Sequence, residues 1–343
     1  MSIRKKVEAR ILKRLLALVN DRSQPNLNAL NDIAKEVRIL QLNMKAFGYD
    51  LARKMTAALP PPSDTVAERV GLASKGCTQR DIESAWLAHW MRALETPVVY
   101  HRKVWELAYV LQALFEAGHL AAGQRGLGFG CGAEPIPSYL AAQGVFVTAT
   151  DFSEEQAAES GWIETNQHLG SAAKPFVPHL VRREMFEQFV TIDTVDMNAI
   201  PDRLQSYDFC WSICALEHLG SIEHGLRFIE RSLDTLRPGG TAVHTMEFNV
   251  DPNGPTIDHW PTVLFQRKHL EALAKRLGDA GHIVIPFDFD FGAEVMDSFI
   301  DLPPWDHALA PEDRSWLGEP LHLKLSIDGF VSTSFGMIVR KAG

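Results

Sequence analysis

Apolar residues recur at helical spacing through the first part of the chain. Within residues 1–19 they return every three or four positions, with lysines and arginines between them, which predicts a basic amphipathic helix. Within residues 30–51 the steps alternate between three and four, the a/d heptad pattern of a coiled coil. The stretch LPPPSD then ends the helical pattern. We predict a helical, coiled-coil region over 1–58 and a linker over 59–77.

Beyond residue 78 the pattern predicts two kinds of structure. Residues 78–123 keep helical spacing and predict a helical cap. From residue 124 onwards short apolar runs alternate with helical stretches, which is typical of βαβ units and a mostly parallel sheet. The last two runs have no helix between them, so the sheet is expected to end with antiparallel strands. The principal strands are predicted at 125–130, 145–151, 189–196, 207–213 and 241–248.

The stretch RGLGFGCGAEPIP, residues 125–137, contains the first of these strands and the glycine-rich turn that follows it. Gly128, Gly130 and Ala133 satisfy the dinucleotide pattern G-x-G-x-x-G/A. Together with Gly132, the two glycines equally satisfy the looser G-x-G-x-G of S-adenosylmethionine enzymes. Asp151 ends the next strand and would accept ribose hydroxyls in either case. The turn alone does not distinguish a dinucleotide site from an S-adenosylmethionine site.

Composition limits the classes of partner and of bound group that the protein is expected to have. The net charge of −9 argues against a broad nucleic-acid surface, so no nucleic-acid partner is expected. The four cysteines lack CxxC spacing, which disfavours a zinc site or a disulfide framework. No apolar run approaches the length of a membrane span. These features predict a cytoplasmic protein. The heptad pattern of residues 30–51 predicts either homodimerisation or packing onto the rest of the chain. Residues 1–19 would contact a protein or the inner membrane surface.

The segment from 207 to 245 carries a family resemblance. It reads YDFCWSICALEHLGSIEHGLRFIERSLDTLRPGGTAVHT. It resembles class I S-adenosylmethionine-dependent methyltransferases, in which a strand ending near LEH precedes a helix and an L-x-P-G-G turn. From about residue 100 to 343 the glycine turn, Asp151, Asp196, ALEHL and LRPGG stand in the family's order. Through TNQH and CALEHLGSIEHGL the chain is also similar to bacterial methyltransferases associated with surface-polysaccharide genes.

The resemblance implies a fold and a cofactor. The fold is the α/β, Rossmann-like class I methyltransferase fold: a mostly parallel seven-stranded sheet with antiparallel C-terminal strands, over residues 124–343, here with an N-terminal helical extension. The cofactor is S-adenosylmethionine, with Asp151 on the ribose, Asp196 on the adenine amino group and Met197 on the ring. Glu134 would face the sulfonium or amino group, or alternatively pair with a helix dipole. The implied cofactor set is Gly128, Gly130, Gly132, Glu134, Asp151, Phe152, Asp196, Met197 and Ser212.

The acceptor class is predicted from the residues at the end of the fourth strand. Amino-methylating relatives often carry [N/D/S]-P-P-[Y/F/W] there, whereas this chain has WSICALEH. We therefore expect O-methylation of a sugar, glycan or other polar small molecule, with His218, His244 or Glu247 as base. The alternatives are that His218 only shapes the pocket and that His244 is a satisfied core residue. A sugar site is predicted in GWIETNQHLG from Trp162, Asn166, Gln167 and His168, unless this is an exposed helix face.

Three further alternatives concern the kind of protein and the kind of site. Some resembling methyltransferases bind a divalent ion through E-x-x-E-H and a later histidine. Glu217, His218 and His259 match that pattern, but Cys214 replaces the first glutamate, so no metal is predicted. A nicotinamide-dependent oxidoreductase would need a pair such as Tyr-x-x-x-Lys, which is absent after the fourth strand. A non-catalytic cofactor-binding scaffold acting through the coiled coil is the other alternative.

Overall fold

The computed structural model describes residues 27–60, 66–152, 175–305, 309 and 311–343, with only the backbone of 27–32 and 311. The predicted basic helix 1–19 lies outside the described residues. The chain forms two compact units, Met1–Asp50 with Asp301–Pro320, and Leu51–Ile300 with Leu321–Gly343.

Four helices of the described residues lie within the two regions, 1–58 and 78–123, that were predicted to be helical. The longest, α1, spans Leu27–Ala58 without a break. The helix Arg102–Ala117 is followed by Gly118, whose φ of +81° provides the left-handed cap that glycine favours. The others are α2 (Gln79–Ile82), α3 (Ala85–Ala93), α4 (Arg102–Ala117), α5 (Ile136–Ala142), α6 (Arg183–Phe189), α7 (Ile222–Ser232), α8 (Arg267–Asp279), α9 (Val295–Ser298) and α10 (Pro311–Leu317), with 3₁₀ turns at Leu216–His218 and Leu233–Thr235.

The strands confirm the predicted sheet. They are β1 (Ser74–Lys75), β2 (Arg125–Phe129), β3 (Phe146–Asp151), β4 (Val190–Thr194), β5 (Tyr207–Ile213), β6 (Leu236–Asn249), β7 (Ile283–Val284), β8 (Phe287–Asp288), β9 (Ile300–Asp301), β10 (Lys324–Ile327) and β11 (Phe330–Arg340). The order runs β4-β3-β2-β5-β6-β11-β10-β9, with β7 paired to β11, so the sheet has nine strands among the described residues where seven were predicted. The pairs from β4 to β6 are parallel, and β11 is antiparallel to both β6 and β10.

Two local differences from the prediction concern turns. The segment 237–240, predicted as a turn, lies within β6 as an irregularity: Leu236 pairs with Tyr207 and Thr241 with Phe209. The predicted linker 59–77 contains β1, which pairs in parallel with β8. The strand is only two residues long and was too short for periodicity to reveal.

Opposite faces of the central sheet are covered by α4 and α7. On β11, Gly336 leaves room for the ring of Tyr109 from α4, and its register partner on β6 is Thr245. The neighbouring His244 contacts Phe228 of α7. Because successive side chains of a strand point to opposite faces, these contacts place the two helices on opposite sides. The order also reverses between β2 and β5, where sheets of this kind bind ligands at the carboxyl ends of the strands.

Candidate active site

The glycine turn joins β2 to α5 and requires glycine at two positions. Gly130 has φ +60° and Gly132 has φ +50°, a region that residues with a Cβ rarely adopt. A Cβ added at Gly130 would lie 2.8 Å from the Cβ of Ala215. Gly128 differs, since a side chain there would clash with Cys131 and Trp211. Gly130 and Gly132 therefore shape the turn, and Gly128 serves its packing.

A cavity of about 320 Å³ opens at this turn, beside the carboxyl ends of β2, β3 and β5. Its volume is at the lower end of the roughly 300–1,000 Å³ typical of small-molecule sites. It brings together seven of the predicted site residues: Gly130, Gly132, Glu134, Asp151, Phe152, Met197 and His218. The wall also contains Lys103, Cys131, Ala133, Ile213, Cys214, Ala215 and Leu219, none of which the sequence had singled out for this role.

Glu134 is the most perturbed acid in the turn. Its Oε1 accepts a hydrogen bond from the indole N–H of Trp211 at 2.5 Å. Burial raises the pKa of Glu134 to about 8, against the opposing effect of the Trp211 hydrogen bond. The carboxyl is thus mainly protonated at neutral pH without a ligand. It would ionise when a cationic group approaches.

Asp151 and Asp196 end neighbouring strands at the same edge. Asp151 lines the cavity, and its Oδ1 accepts from the Phe152 amide at 2.8 Å. Asp196 lies two residues beyond β4 and caps the amide of Asn198. It is not part of the cavity wall, whereas its neighbour Met197 is. The structure thus places the predicted ribose acceptor at the cavity and the predicted adenine acceptor beside it.

His244 and Ser212 face the α7 side of the sheet and do not line the cavity. The Nδ1 of His244 lies 2.8 Å from the hydroxyl of Ser212, and Nε2 lies 3.0 Å from that of Ser232. Burial lowers the pKa of His244 to about 3. Both ring nitrogens are therefore satisfied inside the core. This placement corrects the expectation that Ser212 contacts the cofactor and that His244 acts as base.

Glu247 faces the opposite side, towards α4, and is also absent from the cavity wall. One oxygen pairs with the Arg102 guanidinium and the other accepts from Ser332 at 2.7 Å. Burial would raise the pKa of Glu247, but Arg102 and Lys103 outweigh it and hold the pKa below its usual value. Both carboxylate oxygens of Glu247 are engaged and the residue lies outside the cavity wall, so Glu247 does not fit the role of base.

His218 is the predicted base that the structure brings to the cavity. Its Nδ1 lies 2.9 Å from the carbonyl oxygen of Pro261, which can only accept, so Nδ1 carries the proton and donates. Burial lowers the pKa of His218 to about 4, partly offset by this hydrogen bond. The ring is therefore neutral at pH 7 with its lone pair on Nε2. That nitrogen is able to accept a proton.

Beside the cavity lies a buried cluster of charges that sequence reasoning missed. Glu106, inside α4, accepts from the Cys214 thiol at 3.1 Å, and its other oxygen lies 3.1 Å from the Lys103 ammonium. Arg102 bridges Glu106 and Glu247. In the sequence, Arg102 and Glu106 have the i, i+4 spacing of an ordinary surface pair. Only the packing of α4 against the sheet buries them.

The predicted metal alternative is not assembled. His259 is 82% exposed and lies against Asp258, with no place at the cavity. Among the described residues, ligand atoms of Cys214, Glu217 and Glu247 lie within 4.8 Å of one another. The thiol and Glu247 are already engaged with Glu106, Arg102 and Ser332, and a guanidinium at this place disfavours a cation. We assign no metal to this set.

Trp162, Asn166, Gln167 and His168, the predicted sugar-site residues, lie outside the described residues. Within the described part of the chain, no helix is long and apolar enough to cross a bilayer.

Comparison with known families identifies the domain around this cavity. Residues 127–244, from β2 into β6, match the family model described as a methyltransferase domain. The chain is an S-adenosylmethionine-dependent methyltransferase. S-adenosylmethionine is its cofactor, and the match favours this interpretation of the glycine turn over the dinucleotide one. No curated protein matches the chain.

Solved structures similar to this methyltransferase share little sequence with it. One is a putative sarcosine dimethylglycine methyltransferase from Galdieria sulphuraria, with 16% identity, a TM-score of 0.44, and coverage of 80% of this chain and 94% of that one. Another is an S-adenosylmethionine-dependent methyltransferase from Mesorhizobium loti, with 16% identity, a TM-score of 0.37, and coverage of 67% and 96%. At these scores the likeness carries no argument about the acceptor.

Proposed function

We propose that this methyltransferase transfers a methyl group to a hydroxyl of a polar small molecule such as a sugar, with His218 accepting the hydroxyl proton. The observation that carries the proposal is the neutral His218 in the cavity wall, with the lone pair on Nε2. An alkyl hydroxyl must lose a proton during transfer, and a neutral imidazole is a common acceptor of it. We also propose that the acceptor belongs to surface-polysaccharide synthesis and that its sugar contacts Trp162, Asn166, Gln167 and His168.

The cofactor is proposed to lie along the cavity from the glycine turn to Met197. S-adenosylmethionine supplies a methyl carbon activated by its sulfonium. The turn residues Gly130 and Gly132 would let backbone approach its amino-acid end, and Glu134 would pair with the amino group. Asp151 would accept from the ribose hydroxyls. Support comes from the chemistry of the wall: bare backbone, two acids and an apolar thioether at one strand edge, as a zwitterionic nucleoside requires.

The test begins with calorimetric binding of S-adenosylmethionine and S-adenosylhomocysteine to the full chain. Acceptors are then screened among monosaccharides, polyols, phenols and amines by release of S-adenosylhomocysteine, and the methylated atom is assigned by NMR. His218→Gln should lower kcat at least about 100-fold, the usual contribution of a general base, while cofactor affinity stays unchanged. His259→Gln, an exposed histidine, is the matched control. Exclusive methylation of amines, or full activity of His218→Gln, would refute the proposal.

We also propose that α1 forms a homodimer along its heptad stripe. Among the described residues, Val37, Leu40, Met44 and Phe47 of this stripe are 46–73% exposed. Their 3-4 spacing suits self-association of two copies of one helix. Leu40→Glu should shift the sedimentation coefficient to that of a monomer. Ile39→Glu, similarly exposed but off the stripe, should not. Identical behaviour of the two variants would contradict the proposal.

A further inference from the structure

A second cavity lies between α7 and the segment that follows β4. Its volume of about 330 Å³ is close to that of the cavity at the glycine turn and within the range typical of small-molecule sites. Residues 197–200 form one wall. The other wall is a single face of α7, with the i, i+3, i+4, i+7 spacing of His224, Arg227, Phe228 and Arg231.

Two arginines give this cavity a positive wall. Arg227 and Arg231 are both exposed, and among the described residues that line the cavity there is no aspartate or glutamate. Arg231 pairs with Asp234 at 2.9 Å, but within the described part of the chain Arg227 has neither an ion-pair nor a hydrogen-bond partner. Glu230, the acid between them in the sequence, pairs instead with Arg276 of α8 at 2.7 Å. An anion that enters the cavity therefore meets a guanidinium for which no carboxylate of the wall competes.

The arrangement of the two guanidinium groups favours phosphate over carboxylate. Residues four apart on a helix have Cβ atoms about 5–6 Å apart, so Arg227 and Arg231 can reach the same ligand group. Each guanidinium presents a planar fork of donors that takes up two oxygens of its partner. A carboxylate has two oxygens and one negative charge. A phosphate monoester has three terminal oxygens and a charge of about −1.5 to −2, enough for both arginines.

The remaining wall is apolar and leaves room for more than a phosphate ion. Phe228 is 2% exposed and Met197 6%, and Ile200 packs against the same core. Such a surface suits an apolar or aromatic portion of a ligand whose charged end lies at the arginines. Met197 also lines the cavity at the glycine turn, so the two cavities are neighbours that share one side chain.

We propose that this cavity is a second ligand site, which binds a phosphorylated small molecule. Arg227 and Arg231 hold the phosphate group, and the organic portion lies against Phe228, Ile200 and Met197. The site is separate from that of methyl transfer, and the inference does not depend on which acceptor the enzyme methylates.

The first test is calorimetric titration of the full chain saturated with S-adenosylhomocysteine, which keeps the probes out of the cofactor cavity. The probes are phenyl phosphate, inorganic phosphate, benzoate and phenol, at a fixed chloride concentration that screens non-specific attraction equally. Phenyl phosphate should bind saturably, at least about tenfold more tightly than benzoate, because it makes more charge-assisted hydrogen bonds. It should also bind more tightly than inorganic phosphate, because its ring is buried, and phenol should not bind.

Three of these results would overturn the inference. They are the absence of saturable phenyl phosphate binding, equal affinity for benzoate, and equal affinity for inorganic phosphate. The first would mean that the cavity holds only water. The second would mean that it selects charge without selecting phosphate, and the third that its apolar wall contacts no ligand.

Arginine variants test which residues hold the phosphate. Arg227→Gln and Arg231→Gln should each weaken phenyl phosphate binding at least about tenfold, the effect of losing a hydrogen bond to a charged group. Arg267→Gln, which changes an exposed arginine of α8 that pairs with Glu271, is the matched control and should bind as the unmodified enzyme does. Affinity for S-adenosylhomocysteine, the folding control, should be the same in all three. Binding by Arg227→Gln as tight as that by Arg267→Gln would overturn the inference.

NMR of methionine methyl groups locates the bound probe. The resonance of Met197, assigned by its loss in Met197→Leu, should shift when phenyl phosphate is added to the enzyme saturated with S-adenosylhomocysteine, because a phenyl ring then lies against this side chain. Arg227→Gln should show no shift at the same probe concentration. Phenyl phosphate that binds without moving the Met197 resonance would lie elsewhere on the protein, and the inference would be wrong.

Discussion

Glu134→Gln should remove a pH dependence from cofactor binding. The carboxyl of Glu134 has a pKa of about 8 because it is buried, and it ionises only when a cation arrives. A cationic ligand binds the ionised form, so binding below pH 8 releases one proton and affinity rises with pH. The ionised fraction grows from about one in a hundred at pH 6 to about one in eleven at pH 7, so affinity should rise about ninefold.

The assay is calorimetry with S-adenosylmethionine and S-adenosylhomocysteine at these two pH values, in buffers of different ionisation enthalpy. The two ligands share the amino-acid end, but only the first carries a sulfonium. If the affinity for both ligands rises about ninefold, the amino group of the ligand lies at Glu134. If only the affinity for S-adenosylmethionine rises, its sulfonium lies there. In Glu134→Gln the rise and the proton release should vanish, whereas Glu187→Gln, an exposed glutamate of α6, should behave as unmodified.

Two results would refute the reasoning. One is an affinity of the unmodified enzyme that does not change with pH. The other is a slope that persists in Glu134→Gln, which would mean that another group titrates on binding.

Three further predictions rest on the geometry. Gly130→Ala should weaken cofactor binding at least about tenfold, because the new Cβ meets Ala215 and φ is positive. Gly239→Ala, the control with positive φ but open space around the new Cβ, should cost only about 1–2 kcal/mol of stability and leave cofactor binding unchanged. Calorimetry and thermal unfolding check both variants, and equal cofactor affinity in the two would refute the role of the glycine turn in cofactor binding. His244→Leu should lower stability by about 1–3 kcal/mol, because the buried Ser212 hydroxyl loses its ring partner, while Ser232 keeps its bond to the Ile229 carbonyl oxygen. The kcat per folded molecule should be unchanged, so a large loss of kcat in stably folded protein would restore His244 as a catalytic candidate. Asp301→Asn should cost about 3–5 kcal/mol in chemical denaturation, since the Lys45 ammonium, 2.9 Å from Asp301 and buried, loses its carboxylate; no change in the midpoint would show that this pair is not needed.

The helices and strands around the site could be predicted from the sequence because the hydrophobic patterns that indicate them are local. Period-two and helical patterns predicted β2 to β6, and β5 was found at residues 207–213 as expected. The glycine turn and Asp151 were expected at one edge, since parallel strands joined by helices all end on the same side. Both line the cavity. Residues at strand ends are therefore predictable as a group.

The roles of His244 and Glu247 were not predictable in the same way. They lie three residues apart on one strand, an odd separation, so their side chains point to opposite faces. The sequence shows that the faces differ, but not which helix covers each. In the structure α7 closes over His244 and α4 over Glu247, and neither reaches the cavity.

The sequence by itself thus determined the order of strands and helices, the turn that requires glycine, and the edge at which the acids gather. Only the tertiary structure decided which polar groups are paired and which are left unsatisfied. Glu106 and Glu217 are both glutamates near the site, but the packing of α4 gives one its partners and leaves the other with none among the described residues. Burial depends on contacts between distant segments, and burial sets both the pKa of a carboxyl group and its need for a ligand.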